Sequence, residues 1–336
     1  MIGSHIIPKF YLEQFATAST RGKKNNPGRI WVYERDRPVS QRATSVQGVE
    51  NGYFGFLRRD GTFDESYETL LAQIENQCNE VLICAKSDLY HWPHGSTEKL
   101  ALYAALLYSR ATQRRTFCGS QWSDIVGEIE ELLGDREFIK ELASAFASKI
   151  GYAVTEQQMH DGIQEWFGAS RSAESSRKSF LSDLLDNARF IAGLLVRKQP
   201  WRVLRPPDGL EFVTSDNPLI TFVLLPHGKL HPGYGFRRAE AVAAFPLASN
   251  ACLVMGDAWK TSRNLDTAEL RELNEALISL SDTYVYSKTH SAEVEETTKL
   301  YGGSFRYGVN AFMPIGMKLP TARQYLALHF GLDVPE

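Results

Sequence analysis

Apolar positions recur along this chain with two different periods, and the change from one to the other organises the sequence. From Asp64 to about Lys86, Leu70, Leu71, Ile74, Cys78 and Leu82 fall on one stripe at the 3.6-residue period, which predicts a long amphipathic helix. Leu100 to Phe117 is apolar enough for a central buried helix, with Ser96 as its cap and Gly119 as its stop. Further helices are predicted over about Gln121–Leu133, Glu137–Lys149, Glu156–Trp166 and Ser172–Lys198, the last ended by Pro200. Beyond Pro200 the apolar runs shorten. Trp201–Leu204, Glu211–Thr214, Leu219–Leu225, Ala241–Phe245 and Ala251–Met255 are separated by Gly, Pro, Asp and Asn turns and read as antiparallel strands. A helix over Thr267–Leu280, a strand at Thr283–Tyr286 and a short helix near Val294–Tyr301 follow.

At the other end, Pro8 can open a short helix reaching Ala16 that puts Tyr11, Leu12 and Phe15 on one face. Arg21–Gly28 reads as a solvated turn, Arg29–Glu34 as a strand, and Tyr53, Phe54 and Phe56 as a second strand or loop. The pattern is α+β: a mainly helical N-terminal two-thirds packed on a mostly antiparallel sheet formed largely by the C-terminal third. The strand at Trp31 needs a sheet, and the other strands lie beyond Pro200, which favours one interlocked domain over 1–336. A division of the chain would fall near Gln199–Pro200, leaving 1–199 mainly helical and 200–336 strand-rich.

Composition narrows the class without naming an activity. With 336 residues, 43% hydrophobic and 23% charged, the chain has the balance of a folded soluble protein and not of a collagenous, low-complexity or disordered one. A net charge of −3 excludes a nucleic-acid-coating polycation, although residues 1–50 hold eight basic side chains against four acidic ones. Cys78, Cys84, Cys118 and Cys252 form no C-x-x-C pair and read as thiols in a reducing compartment. With no leader-like start and no long apolar run, the expected location is cytoplasmic, with no membrane partner.

The phosphate-loop, dinucleotide, H-E-x-x-H and nucleophile-elbow signatures are missing, so no organic cofactor is expected. His91-x-x-His94 and His227-x-x-x-His231 have metal-like spacing but no Cys or carboxylate nearby to complete a shell. Four segments carry more chemistry. His5 stands just before the Pro8 helix, as a cap or core residue or as a general acid or base. Glu68 and Glu75, seven apart, share a helix face, and so do Arg110 and Arg114, four apart. The arginines are either partners for those glutamates or a clamp whose two forks suit phosphate. In Thr214-Ser215-Asp216-Asn217-Pro218, Asp216 closes an Asx turn or serves a site.

Taken together and in this order, these segments resemble the domain-of-unknown-function 4238 family. Its members open with an H-x-x-P-x-F-Y-L-x-x-F motif, matched here by His5, Pro8, Phe10, Tyr11, Leu12 and Phe15, and continue with E-x6-E, an R-x3-R helix and an S-D-N-P turn. The resemblance implies a bacterial accessory protein, of the kind found in defence or toxin systems, and marks residues without supplying a mechanism.

Two functions follow as expectations. One is a hydrolase, a nuclease-like phosphodiesterase acting on RNA or DNA, with His5, Arg110 and Asp216 as catalytic residues and Lys9, Arg114, Ser215 and Asn217 contacting substrate. A histidine with arginines can cleave RNA without metal, whereas Glu75 with Asp216 would suit Mg2+, and the sequence leaves both open. The other is a non-enzymatic protein- or ligand-binding module in which the same His, Arg, Glu and Asp form a buried structural network. Whether His5, Arg110 and Asp216 meet at an open cleft or are sealed and paired separates the two.

Overall fold

The computed structural model describes residues 3–17, 28–58, 60–87, 95–112, 115, 127–170, 173–225, 229–233, 235–257, 264–303 and 326; over 166–170, 173–179 and 182 it describes the backbone alone. The chain folds as two compact units, one made of Met1–Arg114 with Asp183–Ile315 and the other of Arg115–Ser182 with Gly316–Glu336. Two of the divisions, after Arg114 and after Ser182, thus fall within the part of the chain read as helical, and none falls at Gln199–Pro200.

In the first unit, β1 (Gly3–His5) pairs antiparallel with β4 (Val49–Asn51), and α1 (Lys9–Leu12) leads into a 3-10 turn over Glu13–Phe15. Between them lie β2 (Arg29–Glu34) and β3 (Arg37–Ala43). The short hairpin of β5 (Phe56–Leu57) and β6 (Phe63–Asp64) then delivers the chain to α2 (Ser66–Ser87) and α3 (Ser96–Ser109). Ser96 is the first residue of α3 and not its cap; Gly95, at φ 77°, takes the left-handed position in front of it.

The second unit holds a helical run over 127–133, α4 (Arg136–Ile150), α5 (Glu156–Ser170) and the first residues of α6 (Ala173–Arg197). Asp135 caps α4 by accepting from the Phe138 amide, and Gly151 ends it at φ 77°. Ile129, Phe138, Ile139, Leu142, Met159, Ile163 and Leu326 form its core.

Back in the first unit, α6 continues to Arg197, and β7 (Trp201–Leu204), β8 (Thr214–Ser215), β9 (Ile220–Leu224), β10 (Leu230–Pro232), β11 (Val242–Ala248) and β12 (Ala251–Met255) follow. They precede α7 (Thr267–Ser279), β13 (Val285–Ser287) and α8 (Ala292–Tyr301). One sheet has the order β10-β9-β11-β12-β7 and is antiparallel throughout. Every residue of β11 and β12 is buried, which is why both read as unbroken apolar runs without alternation. The other sheet, β3-β2-β13-β8, interleaves strands from the two ends of the chain, with Val285 opposite Tyr33 on one side and Ser215 on the other.

The fold is α+β with antiparallel sheets, and the departures from the sequence reading have local causes. The polar edge strand β3 is partly exposed along its whole length, so no apolar alternation announces it. Glu211, Phe212 and Val213 stay outside the sheet because the Phe212 amide bonds to Ser249 O and the Val213 amide to the Asn274 side chain. Pro8 is the N-cap of α1, so the helix begins at Lys9, one residue later than expected, and it is docked: Tyr11, Leu12 and Phe15 are fully buried. The Tyr11 ring stacks on Phe245 of β11 at 5.5 Å, and its hydroxyl donates to Pro246 O at 2.7 Å and lies 2.8 Å from Thr214 Oγ1.

Candidate functional site

The strongest polar cluster is built on α2 and α3. Cys78 Sγ lies 3.4 Å from Lys99 O, which it reaches as donor, and joins the two helices. Glu75, one turn earlier on α2, then meets the side chain of Arg110 at the C-cap of α3, and Glu68 lies farther toward the same end. Arg110 Nη1 donates to Glu75 Oε1 at 2.6 Å, with Arg110 1% exposed and Glu75 19%. The Arg110 carbonyl accepts from the Tyr53 hydroxyl at 3.1 Å, and the guanidinium carbon stands 5.9 Å from the centre of the Phe54 ring.

This guanidinium is incompletely satisfied. Nε and Nη2, which share one edge of its plane, are closed off from solvent and have no hydrogen-bond partner. The Tyr103 hydroxyl, seven residues back on the same face of α3, is also buried without a partner. Burial raises the Tyr103 pKa well above the ordinary phenol value, opposed by Arg110 and reinforced by Glu75, so the group is a neutral donor. Nearby, Ser4 of β1 donates its hydroxyl to Glu68. Ser4, Phe54 and Tyr103 were not among the site candidates of the sequence reading, though the seven-residue interval from Tyr103 to Arg110 is the same signal that picked out Glu68 and Glu75.

His5 follows Ser4 in β1 and pairs with Val49. It does not cap α1, whose N-cap Pro8 receives no side-chain bond, and its Nε2 is buried without a partner. No hydrogen bond or ion pair among the described residues joins His5 to Arg110 or to Asp216.

Asp216 belongs to a different arrangement. Its Oδ1 accepts from the Asp282 amide at 2.7 Å and its Oδ2 from the Thr283 and Tyr284 amides at 2.6 and 2.9 Å, while its own amide donates to Tyr284 O. Burial, with help from the Asp282 carboxylate, pushes Asp216 up to about 7 against the lowering effect of those three donors. Ser215 Oγ donates to Asn217 O and accepts from the Asn217 amide, and Asn217 Nδ2 donates to Leu280 O. The Ser-Asp-Asn turn is a staple between β8 and the 280–284 loop, and the roles expected for Asp216, Ser215 and Asn217 at a site with His5 have no contact behind them.

Lys9 lies on the surface, 3.5 Å from Glu13. Arg114, Cys118, His91, His94 and His227 lie outside the described residues. Of the basic residues near the start, Arg37 and Arg42 both reach Glu34, and Arg29 bonds to Gln41. Among the described residues no group of three or more His, Cys, Asp and Glu side chains could hold a metal, and the two carboxylates expected to serve Mg2+, Glu75 and Asp216, are spent on Arg110 and on the 282–284 amides. No described helix is long and apolar enough to cross a membrane. An open groove of about 900 Å³ in the second unit, lined in part by Arg136, Lys140, Glu156 and His160, contains none of the sequence candidates.

The opening motif, the glutamate helix, Arg110 and the Ser-Asp-Asn-Pro turn all lie within residues 4–291, the stretch matched by the family model described as protein of unknown function (DUF4238). The chain belongs to that family. No curated protein and no solved structure matches it. What DUF4238 membership adds is therefore a set of residues, and the structure sorts them into an Arg110 cluster with two unpartnered guanidinium donors and an Asp216 carboxylate whose two oxygens are taken up by three amides.

Proposed function

We propose that the chain is a binding module for nucleic acid or its fragments, with Arg110 as the recognition side chain. One observation carries this reading: a fully buried guanidinium, fixed by Glu75 through Nη1, keeps its Nε and Nη2 donors free. Buried donors are almost always paired, and this pair of parallel N–H groups matches two acceptors held side by side, as a nucleotide offers on its phosphate or on its base. Both nitrogens are closed off from solvent, so a ligand reaches them only when the residues over them part, and Phe54 is the ring that faces the guanidinium. The sealed, paired state of Glu75–Arg110 and the filled Asp216 carboxylate favour this module over the hydrolase.

A nuclease-like phosphodiesterase is the second reading, and the unpartnered Nε2 of His5 is what favours it, since a ring nitrogen left free can take or give a proton. Labelled RNA, single-stranded DNA and duplex DNA, each with and without Mg2+, test both by anisotropy and by gel. Bound and intact nucleic acid is the expected result. Cleavage that disappears in His5→Gln would establish the phosphodiesterase, and neither binding nor cleavage in any arm would refute both readings.

A further inference from the structure

We infer that the free edge of Arg110 reads a guanine base through O6 and N7, and does not hold the phosphate. The inference rests on the binding role proposed above and names the part of the ligand that the side chain recognises.

Charge decides between base and phosphate. The guanidinium carries one positive charge, and the Glu75 carboxylate 2.6 Å from Nη1 already balances it. The remaining edge therefore offers two hydrogen bonds and no net charge. A phosphate or carboxylate placed there would add a negative charge beside Glu75, with Glu68 seven residues along the same helix face, inside a region where Arg110 is 1% exposed. A charge buried without a counter-charge is costly, whereas a neutral ligand with two acceptors satisfies both orphan donors and adds none.

Geometry narrows the neutral ligands. Nε–H and Nη2–H point the same way in one plane, so their partner is a planar group with two acceptors side by side. Of the bases, guanine presents that pair, O6 with N7; adenine has a donor next to N7, and the pyrimidines lack N7 altogether. The Phe54 ring 5.9 Å from the guanidinium carbon gives a base lying beside the fork an aromatic surface. Glu75 is on this account a positioning residue, since it fixes the guanidinium through the one nitrogen the base does not use.

The test is calorimetric titration of the unaltered protein with guanosine, GMP, inosine, 7-deazaguanosine, AMP and inorganic phosphate, alongside the labelled RNA. Guanosine, GMP and inosine, which share O6 and N7, are expected to bind within a few-fold of one another. Loss of the N7 acceptor in 7-deazaguanosine should weaken binding at least tenfold, and AMP and phosphate should not compete. Arg110→Lys, with its fold checked by circular dichroism, should lose the preference while keeping the charge; the analogue series stands without it should the variant not fold. Phosphate or AMP binding as tightly as GMP, or 7-deazaguanosine binding as well as guanosine, overturns the inference and leaves the binding module in place. RNA bound with no preference among nucleosides does the same, and no binding of RNA or of any nucleoside overturns both.

Discussion

Arg110, fully buried, and Asp216, half-buried, are both ionisable residues on motif positions, and they satisfy their hydrogen-bonding groups differently. Asp216 meets three amides with two oxygens, and its neighbours bond beside it, Ser215 Oγ to the Asn217 backbone and Asn217 Nδ2 to Leu280 O, with Asn217 Oδ1 left unpartnered. Arg110 meets one carboxylate and leaves an edge open. The difference teaches how to separate a structural charge from a recognition one. Pairing is common to both, so of these two the residue that matters for ligand is the one with donors left over.

The comparison breaks most visibly at Glu75. Its removal leaves Arg110 buried with no counter-charge, and uncompensated charges of this kind cost about 3–5 kcal/mol. Glu75→Ala should therefore lower the urea midpoint far more than any surface change, and the double variant Glu75→Leu/Arg110→Met should recover most of the loss. A single and a double variant of equal stability would show that the pair is not the source of the effect.

Asp216→Ala comes next. It strips the acceptor from the amides of Asp282, Thr283 and Tyr284, of which the Thr283 bond is exposed and can be replaced by water. With one to two donors left unpaired in the interior, the loss should be about 2–4 kcal/mol, measured by thermal or urea unfolding. RNA binding by the folded fraction should be unchanged, because the staple makes no contact with Arg110. A folded Asp216→Ala protein that has lost binding would place the turn in the site after all.

These two clusters were legible to different degrees. The Glu75–Arg110 contact is one of the two readings the sequence left open: helix spacing put Glu68 with Glu75 and Arg110 with Arg114 on shared faces as partners or as a clamp, and the structure pairs Glu75 with Arg110. Periodicity also gave α2, and short apolar runs bounded by turn residues gave the buried strands β11 and β12. It was silent about Asp216, whose partners lie 66 to 68 residues downstream in a loop, and about β1 and β3, which are short or polar strands at edges. Such pairings depend on which loop the tertiary fold brings alongside, and no local spacing encodes that. The division into two units was equally hidden, because two of its three boundaries, after Arg114 and after Ser182, cut through sequence that reads as helix and carry no proline or glycine as a mark.

Proton binding sharpens the Asp216 side of the comparison. Its folded pKa of about 7 lies above the roughly 3.9 of an unfolded aspartate. Between those values the folded carboxyl keeps a proton that the unfolded one has lost, so the native state binds more protons and stability falls as pH rises through the window. The contribution is complete below about pH 4 and gone above about pH 7. Urea midpoints at pH 5, 6, 7 and 8 should drop from 5 to 7 in the unaltered protein relative to Asp216→Asn, whose amide does not titrate. A relative rise over the same interval would mean that the three amides hold the ionised form more strongly than burial opposes it.

The smallest effect is expected at Lys9, and it bears on the comparison as its control. Lys9 and Glu13 are 45% and 40% exposed, 3.5 Å apart, on a helix of four residues that continues only as a 3-10 turn. An exposed pair of that kind contributes about 0.5 kcal/mol or less, and the order Lys before Glu is the weaker of the two along a helix. The buried part of this segment, Tyr11, Leu12 and Phe15, holds it in place whatever Lys9 does. Lys9→Ala should shift the unfolding midpoint within error and leave nucleoside binding unaltered, while the salt dependence of RNA binding stays the same, since a lysine already facing a carboxylate releases few counterions when nucleic acid approaches. A tenfold loss of RNA affinity in Lys9→Ala, or a visible drop in its salt slope, would make the surface around α1 part of the recognition site and end the assignment of recognition to leftover capacity in the interior alone.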